Sequence, residues 1–240
     1  MLGRIHSEVS FSKVDGPGIR YVVFMQGCNL RCRFCHNVDT WSTTSGKMID
    51  SQEIAKNILK ALPYIKNSNG GVTISGGEPL LQIEFLIELF KTLKKYDINI
   101  ALDTAGNFDT NEKGLDELLK YVDLVLFDIK HIDNEEHKKL VGFENTKILE
   151  MAKYISNVKK VPMWVRIVYI PGITDKGDSF KRYKEFIKKL KSVEKIEVLP
   201  YHELGVYKWK ELGMEYTLKN IRIPTKEECK KIEDFLHCYG

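Results

Sequence analysis

Short apolar runs, rich in β-branched and aromatic residues, alternate along the chain with longer stretches in which apolar residues recur every three or four positions. The first pattern is typical of buried strands and the second of amphipathic helices. Six strands are predicted, at 20–26, 71–75, 98–104, 122–128, 162–170 and 195–201. Helical stretches between them indicate parallel β/α units, either in an open doubly wound sheet or in a barrel of fewer than eight strands. Periodicity alone does not choose between the two.

The helical stretches carry apolar faces and capping signals. One face holds Ile54, Ile58, Leu59 and Leu62; a second holds Phe85, Leu86, Leu89, Phe90 and Leu93. Capping boxes are predicted for the pairs Asp50 with Glu53 and Thr225 with Glu228. The second box opens a last helix, which is expected to turn Ile232, Phe235 and Leu236 inward.

Polar residues and glycines follow the predicted strands one after another. In chain order they are Gly27 and Cys28, the segment 75–78, Asp103 and Thr104, Asp128 and Lys130, Arg166 near the end of the fifth strand, and His202. The carboxyl ends of parallel strands meet at one edge of a sheet, where ligands bind. The six strand ends therefore predict one large site.

Three of the five cysteines, Cys28, Cys32 and Cys35, fall within eight residues of the loop 26–37. A structural zinc site needs four closed ligands, and His36 is badly placed to be the fourth because it directly follows Cys35. A redox pair leaves the third thiol unexplained. A [4Fe–4S] cluster fits better, because three corners held by thiolates leave one coordination position open. Cys229 and Cys238 are interpreted as core residues.

Size, composition and charge indicate an ordinary globular protein. The chain has 240 residues, with 43% hydrophobic and 29% charged, which suits one domain over 1–240. The net charge of +4 is modest, and no basic stripe interleaved with aromatic residues indicates a nucleic-acid partner. No apolar run approaches the ~20 residues of a membrane span, and the N-terminus lacks signal-peptide features. We expect a cytoplasmic protein, in which thiols stay reduced.

The spacing C-x3-C-x-aromatic-C, formed by Cys28, Cys32, Phe34 and Cys35, resembles the loop of the radical S-adenosylmethionine enzymes. ISGGEP resembles their motif for the methionine amino group, at Ser75, Gly76, Gly77 and Glu78. Over nearly the whole chain, GRIHS, VDGPGIR, QGCNLRCRFCHN, SGGEPLL, LDTAG, DIK, HKKLVG and LPYHELG resemble the family of pyruvate formate-lyase-activating enzymes. The absence of cysteine between Asn37 and Ser75 favours this type over activases with a ferredoxin-like insert.

The resemblance implies a partial (β/α)6 barrel of parallel strands and a set of site residues. It implies Cys28, Cys32 and Cys35 as the cluster ligands, through which they would be catalytic. It implies S-adenosylmethionine contacts at Phe34, Cys35, His36, Gly77, Asp128, Ile129, Lys130 and His202. It implies a monovalent cation at Asp103, Thr104, Leu126 and Asp128, and contacts to the partner's glycine loop at Asp15 and Arg166. A cation between Asp103 and Asp128 would also relieve the repulsion of two neighbouring carboxylates.

The function implied by the resemblance is to generate a glycyl radical on pyruvate formate-lyase. An electron, supplied by flavodoxin in this family, would cleave S-adenosylmethionine at the cluster, and the resulting 5′-deoxyadenosyl radical would abstract a glycine hydrogen. Two alternatives stay open from the sequence. One is a radical enzyme acting on another glycyl radical partner or on a small molecule, and the other is a zinc-binding module without catalysis.

Overall fold

A computed structural model of the chain describes residues 1–237, so Cys238 lies outside the described residues. The strands found there are β1 (Leu2–Ser12), β2 (Arg20–Met25), β3 (Lys47–Asp50), β4 (Gly71–Gly76), β5 (Asn99–Thr104), β6 (Leu124–Asp128), β7 (Met163–Tyr169) and β8 (Val193–Pro200). They form a sheet in the order β3-β1-β2-β4-β5-β6-β7-β8.

The helices of the described part are α1 (Ser51–Lys60), α2 (Leu62–Asn67), α3 (Ile83–Lys94), α4 (Leu115–Leu119), α5 (Asn134–Val141), α6 (Thr146–Lys153), α7 (Ser179–Ile187), α8 (Val206–Glu211) and α9 (Lys226–His237). Short 3₁₀ turns cover Val38–Thr40 and Pro79–Gln82, and a π-helical turn, Tyr154–Lys159, extends α6.

The six strands predicted from the sequence are confirmed as β2 and β4 to β8, with every boundary within two residues. Parallel pairing is seen between β2 and β4, between β4 and β5, and between β7 and β8. These six strands neighbour one another in chain order, as in a (β/α) barrel, without the reversal of order that defines a doubly wound sheet.

The strand β1 and its neighbour β3, which forms one edge of the sheet, were not predicted. β1 pairs antiparallel with both β2 and β3. Its sequence, LGRIHSEVSFS, mixes polar and apolar residues on both faces, and register shifts at Ile5/Ser7 and Val9/Ser12 break its alternation. β3 has only four residues, too few for a period-two pattern to be read.

The chain contains two compact units. One consists of Met1–Asn29, Thr40–Thr104 and Thr110–Leu126; the other consists of Leu30–Asp39, Ala105–Asp109 and 127–237. The single domain over 1–240 expected from the sequence stays a prediction.

Arg20, the last residue of the VDGPGIR motif, is fully buried in the first unit and joins three strands. From the start of β2, its guanidinium donates to Thr73 Oγ1 on β4 at 2.9 Å and to Asn99 Oδ1 on β5 at 2.8 Å. Burial lowers the pKa of Arg20 to about 10, so its charge is kept at neutral pH. The motif's arginine therefore holds the strands in register.

The helix caps and faces agree with the sequence in most places. Asp50 caps α1 by accepting from the Gln52 N–H. The predicted face of α3 is buried at all five positions. α1 ends at Lys60, however, so Leu62 lies outside it, and both Leu59 and Leu62 are only half-buried.

The capping box of α9 is confirmed in full, but one inward residue is wrong. The Glu228 N–H donates to Thr225 Oγ1 at 3.1 Å, and the Thr225 N–H donates to the Glu228 carboxylate at 2.8 Å. Leu236 is buried, as predicted. Phe235, in contrast, is 46% exposed at the surface, where the Lys184 ammonium lies 4.6 Å from its ring centroid. A cation–π contact thus covers this ring in place of the core.

Candidate active site

The three clustered cysteines follow β2, and none of the four described cysteines is in a disulfide. Cys32 is buried, whereas Cys28 and Cys35 are half-buried. Within residues 1–237, no three His, Cys, Asp or Glu side chains converge as the ligands of a single metal ion. A cubane cluster bonds each cysteine to a different iron, so its thiolates stand further apart than the ligands of one ion. Cys229 is buried in α9, where burial raises the pKa of its thiol.

In the first unit, the glycine-rich turn after β4 packs against Gly27, the residue before Cys28. The Glu78 N–H donates to the Gly27 carbonyl at 2.8 Å, and the Gly77 N–H donates to the Met25 carbonyl at 2.9 Å. A Cβ on Gly77 would lie 2.0 Å from the Gly27 oxygen, which no side chain tolerates. Glycine is therefore required for this close approach, and the two sequence motifs meet at these residues.

The ends of β4 and β5 are joined by side-chain hydrogen bonds. Ser75 Oγ donates to Asp103 Oδ2 at 2.7 Å. Thr104 Oγ1 donates to the buried carboxylate of Glu78 at 2.6 Å. Two of the residues expected at a cation site, Asp103 and Thr104, are thus held in place by the glycine-rich segment. A third, Leu126, has a fully buried side chain on β6.

In the second unit, His36 packs directly on His202. Their ring centroids are 3.8 Å apart, and His36 Nε2 lies 3.0 Å from the His202 carbonyl oxygen. A Cβ on Gly205 would come within 2.6 Å of the His36 Cα, so glycine allows the segment after β8 to approach the cysteine loop. Burial lowers the pKa of both histidines. His36 and His202, both predicted contacts of the cosubstrate, thus lie together.

The end of β6 places a charge pair beside the cysteine loop. Lys130 Nζ lies 2.7 Å from Asp128 Oδ2, with both side chains less than one-fifth exposed. The same ammonium lies 5.7 Å from the ring centroid of Phe34. Between the two charges, Ile129 is buried, and its N–H donates to the Arg166 carbonyl at 3.0 Å. The four predicted contacts Phe34, Asp128, Ile129 and Lys130 thus lie together.

The two residues expected to contact a protein partner lie in different settings. Arg166 is buried on β7, and its Nε is 3.2 Å from Glu197, which also pairs with Lys195 at 2.7 Å. Asp15, in the first unit, is half-buried. Its carboxylate accepts from Ser12 Oγ, and its carbonyl accepts from Thr73 Oγ1 at 2.6 Å. The VDGPGIR segment is therefore fixed to β4 through its backbone.

Sequence reasoning missed α8 as part of the site. Trp209 Nε1 donates to the Cys35 carbonyl at 2.9 Å, and Lys208 pairs with Asp39 at 2.9 Å. Trp209 is buried against Tyr216, with ring centroids 5.5 Å apart. Trp209, seven residues after the predicted site residue His202, was a usable signal, since a buried tryptophan usually donates its indole N–H to a nearby acceptor.

No helix among the described residues is long and apolar enough to cross a membrane. In comparisons with known proteins, residues 14–149 match the family model of a 4Fe-4S single cluster domain. A solved radical SAM methyltransferase from Sphaerobacter thermophilus is 14% identical, with a TM-score of 0.64 over 98% of this chain and 74% of that one. At that identity, the likeness shows the fold alone, which is that of radical S-adenosylmethionine enzymes.

Closer relatives match along the entire length. The pyruvate formate-lyase-activating enzyme of Staphylococcus epidermidis is 46% identical over 99% of this chain and 96% of its own. The pyruvate formate-lyase 1-activating enzyme of Escherichia coli K12 is 45% identical over 100% of this chain and 97% of its own. These matches extend over the full length of the chain and include the segments with the cysteine loop and the glycine-rich turn. The chain belongs to the family of pyruvate formate-lyase-activating enzymes.

Proposed function

We propose that this protein activates pyruvate formate-lyase by generating a glycyl radical on it. The bound cofactors supply the hard chemistry: a [4Fe–4S] cluster delivers one electron to S-adenosylmethionine, and the 5′-deoxyadenosyl radical that results removes a hydrogen atom from the partner's glycine. The protein's own task is to hold these groups in line and to keep other hydrogen donors away.

The observation that carries the proposal is the junction of Gly27 with the glycine-rich turn at Gly77. It brings the start of the three-cysteine loop so close to the glycine-rich turn that only glycine fits at position 77. The residues fit the cluster, because thiolates are its ligands and Cys28, Cys32 and Cys35 are not consumed in disulfides. Three thiolates would leave one iron open to the amino and carboxylate groups of S-adenosylmethionine.

The second unit supplies groups suited to the nucleotide. Asp128 and Lys130 offer opposite charges for a ligand that carries a sulfonium, an ammonium and a carboxylate. Asp128 and Lys130 already pair with each other. When a ligand binds, its charged groups would replace this ion pair, and the cost of removing water from two separate charges is avoided. His36 and His202, whose pKa values are lowered by burial, offer neutral aromatic rings to the cosubstrate. The remaining contacts in the proposal are Phe34, Cys35, Gly77 and Ile129.

Three further elements complete the proposal. A monovalent cation is held by Asp103, Thr104, Leu126 and Asp128. The partner's glycine loop is contacted by Asp15 and Arg166. A flavodoxin or a similar one-electron donor reduces the cluster, and the protein works in the cytoplasm, where the thiols stay reduced.

The test is anaerobic reconstitution with iron and sulfide, followed by addition of S-adenosylmethionine, a reductant and pyruvate formate-lyase. We expect 5′-deoxyadenosine and a glycyl radical signal in the electron spin resonance spectrum of the partner. Cys32→Ala should abolish iron binding and both products, whereas Cys229→Ala, a buried cysteine outside the loop, should retain them. A colourless protein that binds zinc and no iron would contradict the proposal. If S-adenosylmethionine is cleaved but no radical forms on pyruvate formate-lyase, the enzyme acts on a different substrate.

A further inference from the structure

The motif HKKLVG, residues 137–142, has no place in the function described so far, yet it forms the end of α5 that holds the cysteine loop. The Arg31 N–H donates to the Val141 carbonyl at 3.0 Å, and the Arg33 N–H donates to the Leu140 carbonyl at 2.9 Å. These two donors flank Cys32. The last carbonyls of a helix lack partners within the helix, so the loop and the helix end satisfy each other. Moving the end of α5 therefore moves the backbone on both sides of Cys32.

The end of α5 is itself fixed by a buried histidine. Gly142 terminates the helix with a left-handed φ of +85°, and its N–H donates to the Lys138 carbonyl at 2.9 Å. The chain then turns back, so that the Phe143 carbonyl lies 2.6 Å from His137 Nδ1. His137 is fully buried, whereas Phe143 is half-exposed at the surface. The histidine thus closes the turn from inside.

The chemistry of this contact fixes the state of His137. A carbonyl oxygen only accepts, so Nδ1 carries the proton. Nε2 is buried without a hydrogen-bonding partner among residues 1–237. Burial lowers the pKa of His137 to about 4, so the ring is neutral and has one N–H to give. That N–H is committed to Phe143.

We propose that His137 is a positioning residue for the cysteine loop: through the Phe143 carbonyl it holds the last turn of α5, and that turn holds the backbone around Cys32. The inference rests on the proposed function only in naming what the loop binds. The contacts between His137, the last turn of α5 and the cysteine loop belong to the polypeptide, so their effect can be measured without cluster, cosubstrate or partner.

Three substitutions separate the hydrogen bond from simple packing. In His137→Asn the amide nitrogen stands where Nδ1 stood and still reaches the Phe143 carbonyl. In His137→Gln the amide nitrogen stands at the position of Nε2 and does not. His137→Phe keeps a planar ring without a donor. His131→Gln is the matched control, because His131 is also fully buried in this unit but contacts Ile173 and Asp133, the residue that caps the opposite, N-terminal end of α5.

The experiment is amide hydrogen exchange, followed by mass spectrometry, on the cluster-free protein. In His137→Gln and His137→Phe, we expect exchange to rise about tenfold or more in two separate segments, 137–143 and 30–35, because opening the turn releases the loop. His137→Asn should stay within about twofold of the wild type, and His131→Gln should leave 30–35 protected. Faster exchange at 137–143 with unchanged 30–35 would overturn the proposal, as would equal losses in the Asn and Gln variants.

A variant that leaves the histidine intact guards against a folding defect in these proteins. Gly142→Ala strains the same turn, since φ there is +85°, and it should also expose 30–35. Gly177→Ala introduces comparable backbone strain at φ +60°, with nothing near its Cβ, and it should leave the exchange of 30–35 unchanged. If both glycine variants leave 30–35 equally protected, the end of α5 does not hold the loop. After reconstitution, iron release to a chelator should be faster for the Gln than for the Asn variant.

Discussion

Gly77 shows at the scale of one residue why the glycine-rich turn cannot accept a side chain. Its N–H is committed to Met25, and its Cα faces the Gly27 oxygen so closely that a Cβ has no space. Serine or alanine there would push the turn away from the start of the cysteine loop. The requirement is steric and lies in the backbone.

We therefore expect Gly77→Ala to lower the rate of S-adenosylmethionine cleavage about 100-fold, as misplacement of reacting groups by ~1 Å does in other enzymes. The rate of 5′-deoxyadenosine formation measures this directly. Gly177→Ala is the control, because it adds a methyl group at positive φ with nothing within reach. A Gly77→Ala protein as active as this control would contradict the role of close approach.

His137 also makes the protein sensitive to acid. Its pKa falls from the ordinary 6.5 to about 4 on folding, through burial first and then through the nearby charges of His131 and Lys130. The unfolded chain therefore binds the proton first as the pH falls below 6.5, and stability is lost until the pH reaches about 4.

Between pH 7 and pH 5, the free energy of unfolding of the cluster-free protein should fall by about 2 kcal/mol more in the wild type than in His137→Asn. Urea unfolding at the two pH values gives both numbers, and the constant effect of the substitution cancels in the difference. Equal falls in the two proteins would show that His137 is not buried and neutral.

The residue scale also marks the limit of prediction from sequence. The spacing of Cys28, Cys32 and Cys35 carries chemistry, so a pattern points to them. The proposed role of His137, in contrast, is not indicated by any sequence pattern. Its role comes from a backbone carbonyl six positions later and from two loop amides far away in sequence. Such contacts depend on the folded path of the chain.

At the scale of elements, α8 serves as a clamp on the cysteine loop. Trp209 donates to the carbonyl of Cys35, and Lys208 bonds both Asn37 and Asp39 just beyond it. The helix has only six residues and little stability of its own. Its buried Trp209, packed on Tyr216, holds it in place.

Trp209→Phe keeps an aromatic ring but removes the indole N–H. The loss of one hydrogen bond, about 1 kcal/mol, should speed iron release from the reconstituted protein roughly fivefold. Trp164→Phe is the matched control, because Trp164 lies on β7 and its ring is covered by Lys195 of β8. Equal rates of iron release from the two variants would contradict the role of α8 in holding the cysteine loop.

Elements were the easiest level to predict. The six parallel strands are short, apolar and bounded by turn residues, so period and composition locate them. β1 was missed because its bulges disturb the alternation, and Phe235 was misplaced because periodicity cannot show that a lysine covers a ring. Periodicity could not predict the order of the strands in the sheet either, and the barrel order was expected only from the family resemblance.

At the scale of the whole molecule, function depends on a second protein reaching the site. The VDGPGIR segment is anchored by its backbone at Asp15 and by the buried Arg20, which leaves the Asp15 carboxylate on the half-buried surface with Ser12. An anchored loop carrying a carboxylate is suited to orient a peptide without binding the small cosubstrate.

We expect Asp15→Asn to lower the rate of glycyl radical formation about 10- to 100-fold while cleavage of S-adenosylmethionine without partner changes little, since a charge-assisted contact is worth about 1.5–3 kcal/mol. Ser12→Ala, which removes only the neighbouring hydroxyl, controls for loss of the local hydrogen bond. Parallel losses in both assays would assign Asp15 to the cosubstrate or to the fold.

The central claim is that three cysteines leave one iron of the cube for S-adenosylmethionine. Mössbauer spectroscopy of ⁵⁷Fe-reconstituted protein tests it, with spectra taken before and after addition of S-adenosylmethionine. We expect a single iron site to change its parameters on addition while the others stay as they were. Four iron sites that all ignore the cosubstrate would contradict the account.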